Sequence, residues 1–136
     1  MSKNLSNDAQ AAAASGTDAP TLTLAMLRNS PDCVKLLNSE GRISFMSENG
    51  MCAMDVDDHA QVAGKTWWDL WPADQRKALE VAFADAISGQ DATHSGRCPT
   101  AKGRERDWSV ALTPVFASNG EVSSVLAVSR DVTPTG

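Results

Sequence analysis

Apolar and polar positions change their period several times along this chain. Residues 1–20, MSKNLSNDAQAAAASGTDAP, have no period and are mostly Ala, Ser, Asn, Asp and Gly. Such a stretch buries too little apolar surface to offset chain entropy, so it reads as a disordered N-terminal tail. Residues 21–30 differ. Leu24 and Leu27, with Leu22 or Met26, share one helical face, and Thr21 or Thr23 can cap it. This predicts a flanking amphipathic helix, broken at Ser30-Pro31-Asp32.

A period of two begins next. CVKLLN (33–38) is a short apolar run, Ser39-Glu40-Gly41 is a turn, and RISFMS (42–47) alternates. Together they predict a hairpin with Ile43 and Phe45 on one face. Residues 48–66 read as loops and short helical turns, followed by WWDLW and Pro72. Residues 72–88 predict the main helix, with Pro72 at its first position. Leu79, Ala82, Phe83, Ala86 and Ile87 make its apolar stripe. Residues 91–98 predict a polar strand and 105–116 a strongly alternating one, with Trp108, Val110 and Leu112 inward. Pro114 implies an edge or a bulge. Asn119-Gly120 marks a hairpin turn, and 122–132 a long final strand. Strands at both ends with helices between predict an α+β fold. Its simplest closure is one five-stranded antiparallel sheet, helices on one face, with the chain ends meeting mid-sheet.

Composition narrows the function. The balance of 12 basic against 17 acidic residues gives net charge -5, which argues against nucleic acid as a partner. No apolar run approaches membrane-spanning length, and the N-terminus lacks the apolar core of a signal peptide. The cysteines Cys33, Cys52 and Cys98, odd in number and widely spaced, read as reduced thiols in a cytoplasmic protein. His94 and Cys98 share a strand face too far apart to grip one metal ion.

The order of elements and three segments resemble a PAS domain. CVKLLNSEGRISFMSENG is similar to the family's opening hairpin. VAGKTWWDLWP resembles its Gly-Lys segment before the long helix. RDWSVALTPVFASNGEVSSVLAVSRDVT resembles its last two strands, ending in Asp131-Val132-Thr133 where the family has Asp-Ile-Thr. The resemblance makes residues 31–133 a sensor domain and residues 134–136 its C-terminal end or a truncated linker to an effector. It implies a sensory module of the kind found in bacterial histidine kinases and other two-component proteins, acting without catalysis. It also implies a homodimer formed through the flanking helix at Leu22, Leu24 and Leu27, a ligand pocket between sheet and helices, and a downstream kinase or other effector.

The family's chemical variants are testable by residue. Flavin-thiol photochemistry needs a cysteine where this chain reads GKTWWDLWP, so it is disfavoured. Haem needs an axial histidine on or just before the long helix, and residues 64–89 hold none; His59 and His94 are expected to face solvent. The absence of tyrosine removes the photoactive-yellow-protein type. Non-covalent flavin and a small apolar or aromatic ligand stay open, as does an empty packed core. The expected lining is Trp68, Trp71, Leu79, Phe83, Ile87, Trp108, Val110 and Leu126. Trp68 and Trp71 should fill the core, leaving Trp67 partly exposed or at a dimer contact. For output, the resemblance implies a salt bridge between Arg42 and Asp131, with Val132 and Thr133 carrying the signal onward. A small α+β enzyme, isomerase- or thioesterase-like, is the competing class; only His94 and Asp107 offer it a base. A cofactor-free interaction module is another.

Overall fold

The computed structural model describes residues 25, 26 and 28–134. Ala25, Met26, Arg28 and Asn29 are helical, and the Asn29 side-chain amide donates to the Ala25 carbonyl at 3.1 Å. Leu22, Leu24 and Leu27 lie outside the described residues, as does the tail.

The chain divides into two compact units, and the second begins at Pro31. Its elements are β1 (Cys33–Leu37), β2 (Ile43–Met46), α1 (Glu48–Ala53), α2 (Arg76–Ile87), β3 (Ala92–Pro99), β4 (Glu105–Phe116) and β5 (Val122–Asp131). Short 3-10 turns at His59–Gln61, Trp67–Leu70 and Ala73–Gln75 link α1 to α2. The strands form one antiparallel sheet in the order β2-β1-β5-β4-β3, so the first and last strands are neighbours at its centre.

Side-chain alternation sorts the sheet into two faces. Cys33, Lys35 and Leu37 of β1, Val125, Ala127 and Ser129 of β5, and Trp108, Val110 and Leu112 of β4 are buried. They pack with Leu79, Ala82, Phe83 and Ala86 of α2, the stripe expected from its period. Burying a side chain such as Leu79 or Phe83 contributes about 2 kcal/mol.

The structure corrects several positions. A bulge in the β1–β2 ladder pairs Leu36 with Phe45 but Leu37 with Ile43. The extra residue, Ser44, turns Phe45 to the opposite face from Ile43, where it is exposed. Leu126 pairs with Leu36 and Thr113, so it too lies on the outer face, half-buried. Pro72 does not start a continuous helix; a 3-10 turn intervenes and α2 begins at Arg76. Pro114 lies past Ala92, the last β3 partner of β4, and a bulge follows at Val115/Phe116.

The segment Gly64–Trp67 runs alongside β2. Ile43 N–H donates to the Lys65 carbonyl at 2.9 Å, and Trp67 N–H to the Gly41 carbonyl at 2.9 Å. This covers the open edge of β2 and brings the tryptophans over the hairpin turn. Gly41 has φ +80, and a Cβ there would lie 2.5 Å from the Trp68 ring. Gly120 has φ +87 but open space around it. Gly120→Ala should therefore cost about 1 kcal/mol, the left-handed strain alone. Gly41→Ala should cost about 3 kcal/mol, since overpacking adds to that strain. Urea denaturation of the two variants checks the difference.

Candidate functional site

The fully buried strand positions of the inner face are apolar except at Lys35 and Ser129, in the centre of the sheet. β1 places Lys35 between Cys33 and Leu37 on the buried face, and Lys35 is only 4% exposed. Its ammonium donates to the Ser129 hydroxyl at 3.2 Å and the Cys33 thiol at 3.2 Å. None of the ion pairs among the described residues includes it.

Beside this group lies a cavity of about 20 Å³, lined by Lys35, Met46, Met54, Trp67, Leu70, Trp71, Cys98, Trp108 and Ser129. That volume holds about one water molecule. Trp67 and Trp71 meet edge to face with centroids 6.3 Å apart. The Trp108 indole N–H donates to the Cys98 carbonyl at 3.0 Å, which fixes that ring against β3. Burial pushes the Cys98 thiol up to about 11, although the nearby Lys35 charge pulls the other way. Cys98 is therefore a neutral wall residue near pH 7.

The expected lining is only partly assembled here. Trp71 and Trp108 border the cavity. Leu79, Phe83 and Val110 are buried away from its wall, and Ile87 is half-buried against the core. Leu126 faces outward. The tryptophan roles are exchanged: Trp67 is buried and Trp68 is half-buried, 5.5 Å from the Phe83 ring. The cause is the pairing of Gly64–Trp67 with β2, which points Trp67 at the cavity and lays Trp68 over Gly41.

His94 is also corrected. It sits half-buried on the inner face of β3, edge-on to Trp71 at 5.3 Å. The Gln75 amide donates to the Arg97 carbonyl at 2.6 Å, which orients its oxygen toward His94 Nε2 at 3.0 Å, so the imidazole donates there. A Cβ at Gly96 would collide with that amide. Burial lowers the His94 pKa below its usual value. His59 is half-buried in a 3-10 turn. Asp107 is engaged by Arg97 through two hydrogen bonds of 2.9 and 3.1 Å. Haem and an isoalloxazine ring are both far larger than this cavity, and the inner-face imidazole nitrogen that haem would need is engaged by Gln75.

Lys35, Ser129, Gln75 and Gly96 were missed as site residues. The signal for Lys35 was present, since in CVKLL it shares strand parity with Cys33 and Leu37.

At the end of β5, Asp131 accepts from Arg106 at 2.8 Å and from the Thr133 N–H at 2.9 Å. Thr133 Oγ1 accepts from the Asp107 N–H, and the Val132 N–H donates to the Asp107 carbonyl. Burial alone would raise the Asp131 carboxyl, but hydrogen bonds from Thr133 and Arg106 outweigh it and hold it below its usual value. The expected partner, Arg42, is elsewhere: it donates to the Gly64 carbonyl at 3.1 Å and lies 3.8 Å from Glu40. The antiparallel register explains this. Leu37, next to the hairpin turn, pairs with Val125, so Arg42 and Asp131 stand at opposite ends of the sheet, roughly 20 Å apart.

A second polar cluster ties α1 to the β3–β4 hairpin. Asp55, with φ 59, accepts from Thr100 and from Arg104 at 2.8 and 3.2 Å. The Arg104 and Thr100 hydrogen bonds hold its carboxyl down to about 2 from an ordinary 3.8. The depressed value means that its stabilisation is present above pH 4 and is lost as pH falls toward 2. Asp55→Asn, which keeps a residue tolerant of positive φ, should lower Tm at pH 7. That deficit should vanish between pH 4 and 2 in a thermal melt series. At the other cluster, Asp131→Lys should lose about 1 kcal/mol and be rescued by Arg106→Asp, with no rescue from Arg42→Asp, in a double-mutant cycle.

A family model described as the PAS fold matches residues 27–135. Among solved structures, the chain is similar to the PAS domain of an HTR-like protein from Haloarcula marismortui, with 19% identity and TM-score 0.66, covering 79% of this chain and 87% of that one. It is similar to a PAS domain from Colwellia psychrerythraea, with 15% identity and TM-score 0.74, covering 85% and 98%. The PAS domain of the fruit-fly ELK potassium channel is similar at 12% identity and TM-score 0.68, covering 87% and 100%. Comparison with curated proteins finds no match. With the family model spanning most of the chain and the β2-β1-β5-β4-β3 sheet in place, the protein belongs to the PAS fold family of sensory and interaction modules.

Proposed function

We propose that this chain is a cytoplasmic sensory and dimerisation module of a bacterial-style signalling protein. It binds a small molecule between sheet and helices and passes the change out through β5. One observation carries this reading: the cavity wall joins Ser129 of β5 to Trp67 and Trp71 of the connector before α2. A ligand there touches the last strand and the helical layer together. Ser129 lies two residues before Asp131, where the Arg106 and Thr133 contacts close the strand end. Strain entering at Ser129 would reach Asp131, Val132 and Thr133 first. The flanking segment with Leu22, Leu24 and Leu27 supplies the homodimer contact, and a histidine kinase or other effector receives the output. The module is non-catalytic, with His94 and Asp107 both committed to structural partners.

The cavity volume of about 20 Å³ also favours a second reading, a cofactor-free interaction module with a filled core. Met46 and Met54 in the wall weigh against it, because methionine side chains repack readily around a guest. Native mass spectrometry of gently purified protein should find a dimer carrying a small mass that denaturation releases. A dimer with no releasable mass would leave the interaction module.

A further inference from the structure

Among the described buried side chains, Lys35 alone carries a charge. Its hydrogen-bond partners, Ser129 and Cys33, bear no full negative charge as a hydroxyl and a thiol. The one thiol of the wall, Cys98, is held neutral by burial. A buried charge without a counter-ion is costly, and an apolar side chain of similar length usually serves a fold better. The lysine nevertheless stands at the centre of the sheet, beside a cavity.

The wall has two parts. Lys35 and Ser129 provide an ammonium and a hydroxyl at one end. Trp67, Trp71, Trp108 and the two methionines provide an apolar remainder. One ammonium suits a single negative charge, and two small donors suit a planar two-oxygen head. The indoles and thioethers suit a short aliphatic or aryl tail.

We propose that Lys35 and Ser129 form a carboxylate subsite, and that the chain binds a small apolar monocarboxylate there. The head takes a free Lys35 N–H and the Ser129 hydroxyl proton, and the tail enters as Met46 and Met54 move aside. This rests on the sensory reading above and names its ligand class. It also links recognition to output: the head bridges Lys35 and Ser129, adding to the direct tie between the buried charge and β5.

The test uses matched pairs at pH 7: butyrate with butyramide, and phenylacetate with phenylacetamide. Thermal shift and isothermal titration calorimetry are run on the full chain, Lys35→Met and Ser129→Ala. The acids should raise Tm and the amides should not. Lys35→Met should fold at least as stably as the parent and bind the acids roughly ten- to a hundredfold more weakly, the loss of one charged hydrogen bond. Ser129→Ala should weaken them less. Equal binding of acids and amides, or acid binding unchanged in Lys35→Met, overturns the subsite and leaves the sensory reading standing. If neither series binds and native spectra show no releasable mass, both readings fall.

Discussion

The pairing of β1 with β5 is the constraint on which the rest of this molecule depends. It joins residues about ninety positions apart in sequence, with Cys33 opposite Ser129 and Leu37 opposite Val125. Long-range antiparallel pairing must be established against loop-closure entropy, and the buried side chains on both strands provide the return. The same register decides which groups meet in the core. Lys35 lies directly opposite Ala127, whose small side chain leaves room for the ammonium to reach diagonally to Ser129. A shift of one residue would turn Lys35 to the other face and dismantle the polar centre of the pocket.

The connector between α1 and α2 is the second determinant. Its polypeptide backbone, paired with β2 at Gly64–Trp67, fixes the tryptophans before the long helix starts. Arg76, at the first turn of α2, then donates to the Trp71 and Asp69 carbonyls. The tryptophan cluster is a packed joint between the sheet edge and the long helix. One of its rings, Trp67, also closes the cavity. The cavity wall and the packed joint therefore share Trp67, which ties the shape of the cavity to the placement of the connector before α2.

Legibility followed period. The alternation in ERDWSVALTPVF located β4 and its inward side chains, and the Leu79–Ile87 stripe located the buried face of α2. VSSVLAVSRDV was harder, because Val125 and Ala127 lie on one parity and Leu126 and Val128 on the other. Both faces of this central strand are partly covered, so hydrophobicity does not choose between them, and only the register places Leu126 on the outer face. Phe45 departs from its alternation for a different reason. A bulge inserts one residue with no mark in composition, and every side chain beyond it changes face. The Arg42–Asp131 pairing rested on a family resemblance, and the register of the central strands removes it.

By itself the sequence determined the α+β class, the five strands, the long helix and the membership of the family. These follow from local periods, Gly and Pro punctuation and short motifs, which neighbouring residues encode. Tertiary structure alone decided which charge sits in the core, which tryptophan closes the cavity and which basic residue holds Asp131. Each depends on a register between distant strands or on a loop pairing with a sheet edge. Such matches are set by packing of the whole chain, and no single segment carries them.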